Sequence, residues 1–124
     1  MTMEEYADAI WVKIPLMAVG CMYRSPNSTM DDNGSMNRQI KEVCSKGYSH
    51  ILIMGDYNMP AINWATWSTH NRRDHEFIEC LRDSFLHQHV KEATRYRVNQ
   101  NENLLDLIMT NEEDMISDIA TISH

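Results

Sequence analysis

Long apolar runs, paired cysteines and a secretory signal are all missing from this sequence. No apolar run approaches the roughly 20 residues that a membrane span needs. The acidic start, Met-Thr-Met-Glu-Glu-Tyr, is unlike a secretory signal. Three cysteines without a Cys-x-x-Cys spacing argue against a disulfide framework or a zinc site. We therefore expect an intracellular protein whose cysteines are reduced, small core residues.

Positive charge is also scarce. The chain has 11 Lys and Arg residues against 18 Asp and Glu residues, which gives a net charge of −7. Proteins that bind nucleic acid unaided usually carry a basic face, because neutralising phosphates supplies much of the affinity. The composition is compatible with an acidic, metal-dependent hydrolase, but it predicts only weak unaided binding to DNA.

What is present indicates one α/β domain. The 124 residues, 43% hydrophobic and 23% charged, are typical of a single soluble domain. Apolar runs and helical spacing alternate along the chain, which predicts a layered α/β fold. The predicted strands are 11–14, 16–23, 51–54, 85–90, 103–109 and 115–122, the predicted helices are 37–44 and 74–83, and 31–34 and 99–103 are predicted loops.

The most informative stretch runs from His50 to Pro60. Its Ile-Leu-Ile-Met run is typical of a buried strand, and Gly-Asp-Tyr-Asn-Met-Pro follows. Asp56 and Asn58 are two residues apart, so an extended chain would point both side chains to the same side. A carboxylate that takes a proton or holds a metal, beside an amide that donates to a phosphoryl oxygen, suits phosphate chemistry. An ordinary turn, held by local Asp and Asn hydrogen bonds, is the alternative.

Two more polar residues end or interrupt apolar strands. Tyr23 closes the run 16–23 and precedes Arg-Ser-Pro-Asn, which by itself is typical of a strand ending in a turn. Asp106 interrupts the run Leu-Leu-Asp-Leu-Ile-Met. Because a lone buried acid is costly, Asp106 should have a partner or reach a cleft. A solvent-facing edge strand would also explain it.

Other polar and aromatic residues lack a chemical pattern. Five histidines show no metal-binding spacing, and we interpret them as surface or core residues: His50, His70, His75, His87 and His89. Trp64 and Trp67 are three residues apart and are interpreted as packing anchors rather than base-stacking platforms.

Together these segments resemble a known family. Gly-Asp-Tyr-Asn at 55–58 is similar to the GD(F/Y)N segment of the endonuclease/exonuclease/phosphatase superfamily. The Pro-x-Ile-x-Trp tail at 60–64 resembles the endonuclease domains of non-LTR retrotransposons. Tyr-Arg-Ser-Pro-Asn at 23–27, Glu-Ala-Thr-Arg at 92–95 and the strand around Asp106 also match, in the family's order.

The resemblance implies a DNase I-like fold, which is a two-sheet sandwich with flanking helices, and Mg²⁺-dependent cleavage of DNA. It implies that Asp56 and Asn58 face the metal, that Tyr23 reaches the scissile phosphate, and that Asp106 orients a catalytic histidine. The family also has a metal-binding Glu on an early strand and a closing Ser-Asp-His, which this sequence does not match; His124 is not counted as catalytic. We therefore expect residues 1–124 to be a truncated, partial domain with an incomplete Mg²⁺ site.

Two functions stay open. The first is an endonuclease-like phosphodiesterase domain of retrotransposon origin that cleaves DNA weakly or not at all. The second is a non-enzymatic remnant that acts as a binding module or self-associates through exposed sheet edges.

Overall fold

Among the residues that the structure describes, one five-stranded sheet and two helices form the fold. The structure is a computed structural model and describes residues 8–90 and 106–114. The elements in chain order are β1 (Ala9–Ile14), β2 (Met17–Tyr23), α1 (Met30–Cys44), β3 (His50–Asp56), α2 (Arg72–Asp83), β4 (His87–Gln88) and β5 (Asp106–Thr110). The strand order across the sheet is β1-β2-β3-β5-β4.

Connections of two kinds build the sheet. A tight turn joins β1 to β2 as an antiparallel pair, whereas α1 carries the chain from β2 to the parallel strand β3. Helix α2 leads from β3 towards the far edge, where β4 pairs with β5, and β5 runs antiparallel to both its neighbours. The C-terminal ends of β2 and β3 and the N-terminal end of β5 therefore lie next to each other, at the same end of the strands.

Both helices pack on one face of the sheet, where they form the core. Ile40 and Val43 of α1 and Phe77 and Leu81 of α2 are fully buried in the same cluster as Ile53 of the central strand. Trp11 of β1 also lies on this face. Its indole nitrogen donates to Gln39 Oε1 at 2.8 Å, and its ring covers Gly20 so closely that a Cβ there would overlap it.

Helix α1 begins earlier than predicted, so the predicted loop at 31–34 is wrong. Thr29 is the N-cap: its hydroxyl accepts from the Asp32 backbone at 3.1 Å, and the Asp32 carboxylate accepts from the Thr29 backbone at 3.5 Å. This capping box outweighs the turn-like composition of Asp-Asp-Asn-Gly. Helix α2 matches its prediction closely and begins after the N-cap Asn71.

The strands follow the predictions with two corrections. Strand β3 continues through Asp56 instead of ending at Met54, and β4 has only two residues. Strand β5 lies between β3 and β4, but β4 pairs only with Met109 and Thr110, and Asp106 is partly exposed. The edge-strand interpretation of Asp106 therefore stays open. Cys21 is exposed rather than buried, while Cys80 is buried and Cys44 is partly buried. The predicted strand 115–122, the loop 99–103 and the segment 92–95 lie outside the described residues.

The opposite face of the sheet carries apolar side chains without a covering layer among the described residues. Ile10, Val12 and Ile14 of β1 and Leu16 of the following turn are all exposed. The layered α/β class is confirmed, and the described residues contribute one sheet with helices flanking one side. Neither described helix is long and apolar enough to cross a membrane.

Candidate active site at the ends of three strands

Three of the predicted site residues lie side by side at the same end of three neighbouring strands. Tyr23 ends β2 and pairs with Asp56, the last residue of β3, and Asp56 pairs in turn with Asp106, the first residue of β5. Neighbouring strands are roughly 4.8 Å apart, and residues paired across them point to the same face. Tyr23 and Asp106 therefore lie on either side of Asp56. We call these three residues the strand-end row.

The strand-end row points to the face without helices. The residues next to it along the strands, Met22 and Leu107, are buried against the helices, whereas Tyr23 is 47% exposed. Asp56 and Asp106 are partly buried. Since side chains alternate between the two faces of a sheet, the row is directed away from the helix-packed core.

The two acids of the row face each other. Directly opposed side chains on antiparallel strands have Cβ atoms about 4.5–5.5 Å apart, and like charges at that distance destabilise the sheet. A cation or hydrogen-bond donors near the two carboxylates would offset this repulsion.

Gly55 allows β2 and β3 to approach closely beside the row. Its φ is +155°, and a Cβ at this position would overlap the carbonyl oxygen of Met22 on the neighbouring strand. Only glycine fits both conditions without moving the backbone. The glycine of the Gly-Asp-Tyr-Asn segment therefore permits the close approach of the two strands next to the Tyr23–Asp56 pair.

Asn58 lies near Asp56, but not through an extended chain as predicted. Its φ is +51°, in the left-handed region, and its backbone N–H donates to Asp56 Oδ1 at 3.1 Å. The segment thus forms the local Asp-stabilised turn that was the alternative interpretation. The amide of Asn58 donates from Nδ2 to the carbonyl of Arg24 at 2.5 Å, which fixes its orientation. The extended-chain argument was wrong because the strand ends at Asp56.

Arg24 was missed by the sequence analysis. It follows Tyr23 directly and is 0% exposed, and its guanidinium contacts the backbone of the turn that carries Asn58. The only signal in the sequence is a charged residue between an apolar strand and Ser-Pro-Asn, a composition typical of an exposed turn.

The remaining histidines and tryptophans lie elsewhere. His50 contacts Glu112 at 2.7 Å between Nδ1 and Oε1, at the opposite end of β3 from Asp56. His89 contacts the hydroxyl of Thr110 at 2.6 Å between Nε2 and Oγ1. Trp64 is buried and packs edge-on against Trp67 with ring centres 5.2 Å apart, which confirms their role as packing anchors.

Comparison with known families bears directly on this site. The family model described as endonuclease-reverse transcriptase matches residues 17–123. This chain belongs to the endonuclease-reverse transcriptase family. The matched range contains the whole strand-end row and Asn58. The predicted resemblance to endonuclease domains of retrotransposons is thereby confirmed.

Among solved structures, the fold is similar to the endonuclease domain of TRAS1, a telomere-specific non-LTR retrotransposon. The TM-score is 0.50 at 13% sequence identity, over 77% of this chain and 45% of that domain. The chain thus spans less than half the length of that domain, and at this identity the likeness supports the DNase I-like fold alone. The comparison with curated proteins finds no match.

Proposed function

We propose that this member of the endonuclease-reverse transcriptase family carries part of a DNA phosphodiesterase site that uses a divalent cation. The observation that carries the proposal is the strand-end row, in which Tyr23, Asp56 and Asp106 occupy paired positions on three adjacent strands. Family membership supports nuclease chemistry, and the match covers all three residues.

The donor types at this end of the strands are those that Mg²⁺ prefers. Carboxylate and amide oxygens are the ligands that this cation prefers, and Asp56, with Asn58 beside it, offers both. We propose that these two residues hold the cation and that Asp106, opposite Asp56, adds negative charge that attracts it. When bound, Mg²⁺ would polarise the phosphate and offset the charge that develops during cleavage.

The chain's own residues would position the substrate. The half-exposed Tyr23 would donate its hydroxyl hydrogen to a phosphate oxygen of the DNA backbone. Asn58, whose Nδ2 already donates to the Arg24 carbonyl, would present its Oδ1 to the cation. The resemblance implies that Asp106 orients a histidine, and its position opposite Asp56 is equally compatible with a direct role at the cation.

We expect cleavage by this chain to be slow or undetectable. Within the described ranges, no group of three or more His, Cys, Asp and Glu side chains could hold a metal ion. Two carboxylates and one amide are few ligands for tight Mg²⁺ binding. This sequence does not match the family's closing Ser-Asp-His. General acid–base catalysis by such a histidine would raise the cleavage rate by about 10²–10⁴-fold, so cleavage without it should be hard to measure. The net charge of −7 should also make DNA binding weak.

A plasmid-nicking assay with Mg²⁺ or Mn²⁺ tests this proposal. The full chain should nick DNA weakly at most, and any activity should disappear in Asp56→Ala. Glu112→Gln is the matched control, because it removes a carboxylate at the opposite end of the sheet. Robust nicking that Asp56→Ala abolishes would keep the site but overturn the expected low rate. Nicking that survives in Asp56→Ala would overturn the site itself.

A second candidate function is self-association without catalysis. The observation that favours it is strand β1, which is an outer strand of the sheet within the described part of the chain and exposes Ile10, Val12 and Ile14. An exposed apolar edge strand is a template for pairing with another chain. Sedimentation velocity should then show a concentration-dependent dimer that Val12→Lys abolishes. A monomer at all concentrations would exclude this function.

A further inference from the structure

Arg24 lies directly behind the strand-end row. Its backbone N–H donates to the carbonyl of Asp56 at 2.8 Å, which extends the pairing of β2 and β3 by one bond. Because side chains alternate, Tyr23 points to the open face and Arg24 to the helix-covered side. Its 0% exposure places a permanently charged guanidinium in the protein interior.

The guanidinium joins two segments that are far apart in the sequence. Its Nε donates to Asn33 Oδ1 of helix α1 at 2.8 Å. Its Nη1 donates to the carbonyls of Tyr57 and Asn58 at 3.2 Å and 3.0 Å. The Arg24 carbonyl accepts in return from Asn58 Nδ2. Arg24 thus holds Asn58 by its main chain and by its side chain, and anchors both to the first turns of α1.

Burying this cation is costly, which argues for a specific role. An arginine cannot lose its charge in a protein, so its desolvation must be offset by well-placed acceptors. An apolar residue of similar size would fill the same space without that cost. The planar fork of the guanidinium can serve Asn33 and the two turn carbonyls together, whereas the compact ammonium of lysine cannot match that geometry.

We propose that Arg24 is a positioning residue for the strand-end site. It holds Asn58 in the left-handed conformation, which is uncommon for residues other than glycine, although asparagine adopts it more readily than most. In that conformation the Asn58 N–H donates to Asp56 Oδ1, so the chain of contacts runs from Arg24 through Asn58 to the carboxylate. The role in cation binding rests on the proposed function, whereas the role in holding the turn does not.

Amide hydrogen exchange on the full chain tests the holding role. In Arg24→Lys, exchange at the Asn58 N–H should accelerate by at least about fivefold, as expected from loss of a hydrogen bond, while exchange at Ile53 in the preceding strand β3 stays unchanged. Arg82→Lys is the matched control, since Arg82 also donates to a backbone carbonyl, that of Trp67, at 3.1 Å. Equal acceleration at Asn58 and Ile53 would mean that Arg24 only stabilises the fold, and no acceleration at either would mean that it holds nothing. Both results overturn the proposal.

Two variants at Asn33 provide an independent arm. Asn33→Asp keeps an oxygen acceptor for Arg24 Nε and should preserve slow exchange at Asn58, whereas Asn33→Leu removes the acceptor and should accelerate it. Should Arg24→Lys fail to fold, this pair decides the question, and equal exchange in the two variants would contradict the proposal.

Mn²⁺ titration of the same proteins tests the link to the site. Arg24→Lys should weaken Mn²⁺ binding by at least about fivefold, as expected when one preorganising hydrogen bond is lost, while Arg82→Lys leaves it unchanged. If the native chain binds no Mn²⁺, the proposed function fails and the exchange result still decides the role of Arg24. If Mn²⁺ binds equally to native protein and Arg24→Lys, Arg24 does not position the cation ligands.

Discussion

The two faces of the sheet carry similar apolar residues, which are buried on one face and exposed on the other. On the helix-covered face, Ile53 of β3 and Met109 of β5 are fully buried. On the opposite face, Ile10 and Ile14 of β1 are exposed, and the strand-end row lies at its edge. Apolar content therefore does not identify the core in this protein; the position of the helices does. The side chains of the strand-end row lie on the face without helices. Arg24, which contacts the turn that carries Asn58, lies on the helix-covered face.

Matched isoleucine substitutions should give the largest difference between the faces. Ile53 is 0% exposed and Ile14 is 52% exposed. Ile53→Ala should lower the free energy of unfolding by about 2–5 kcal/mol, because it leaves a cavity under the helices. Ile14→Ala should lower it by less than about 1 kcal/mol. Urea denaturation measures both values, and similar losses would mean that the β1 side is also packed.

The helix-covered face also depends on the start of α1. Thr29→Ala removes the hydroxyl that accepts from the Asp32 backbone, and should lower the free energy of unfolding by about 1 kcal/mol. Thr29→Ser keeps the hydroxyl and serves as the control, with little expected change. The same urea titrations measure this effect. Equal stability of the two variants would contradict the capping role.

Alkaline pH should destabilise the fold through two thiols on the covered face, the partly buried Cys44 and the buried Cys80. Burial raises the pKa of Cys44 to about 11 and that of Cys80 to about 12, from a usual value of 9.0. Because each thiol has a higher pKa in the folded state than in the unfolded state, the folded protein holds the thiol protons more tightly. The stabilising effect of the protonated thiols is fully present below pH 9 and is lost as the pH rises towards 11 and 12. The free energy of unfolding should therefore fall above pH 9, and less steeply in Cys80→Ala. Equal slopes in native protein and variant would contradict this account.

Thiol labelling distinguishes the faces without changing stability. Cys21 is exposed and pairs with Met54 on the open face, whereas Cys80 is buried and donates to the Asn37 carbonyl. Iodoacetamide near neutral pH should label Cys21 first, and Cys44 and Cys80 only after unfolding. Mass spectrometry after digestion measures the order. Slow labelling of Cys21 in the folded protein would mean that the face around it is covered.

The main elements could be predicted because each has a clear pattern. The run 51–54 and the spacing of Phe77 and Leu81 indicated β3 and α2 directly. The first turns of α1 were missed because Asp-Asp-Asn-Gly has the composition of a turn, although Thr29 and Asp32 carried the capping signal. The capping interaction between these two residues, which are three positions apart, outweighs the turn-like composition of the residues around them.

The candidate site was predictable in its members but not in its geometry. Tyr23, Asp56 and Asp106 could be selected because each ends or interrupts an apolar strand, but their pairing depends on a register that one sequence does not specify. The left-handed turn at Asn58 depends on contacts with Arg24, which is 34 residues away along the chain. Such long-range contacts leave no local pattern.

Titration of the full chain with Mn²⁺, followed by electron paramagnetic resonance of the free ion, tests the central claim that Asp56 and Asn58 hold a divalent cation beside the strand-end row. The native protein should bind Mn²⁺, and Asp56→Asn should weaken binding by about tenfold or more, as expected when a charged ligand is lost. Glu112→Gln, at the opposite end of the sheet, should bind like the native protein. Equal binding by native protein and Asp56→Asn, or no binding by the native protein, would contradict the claim.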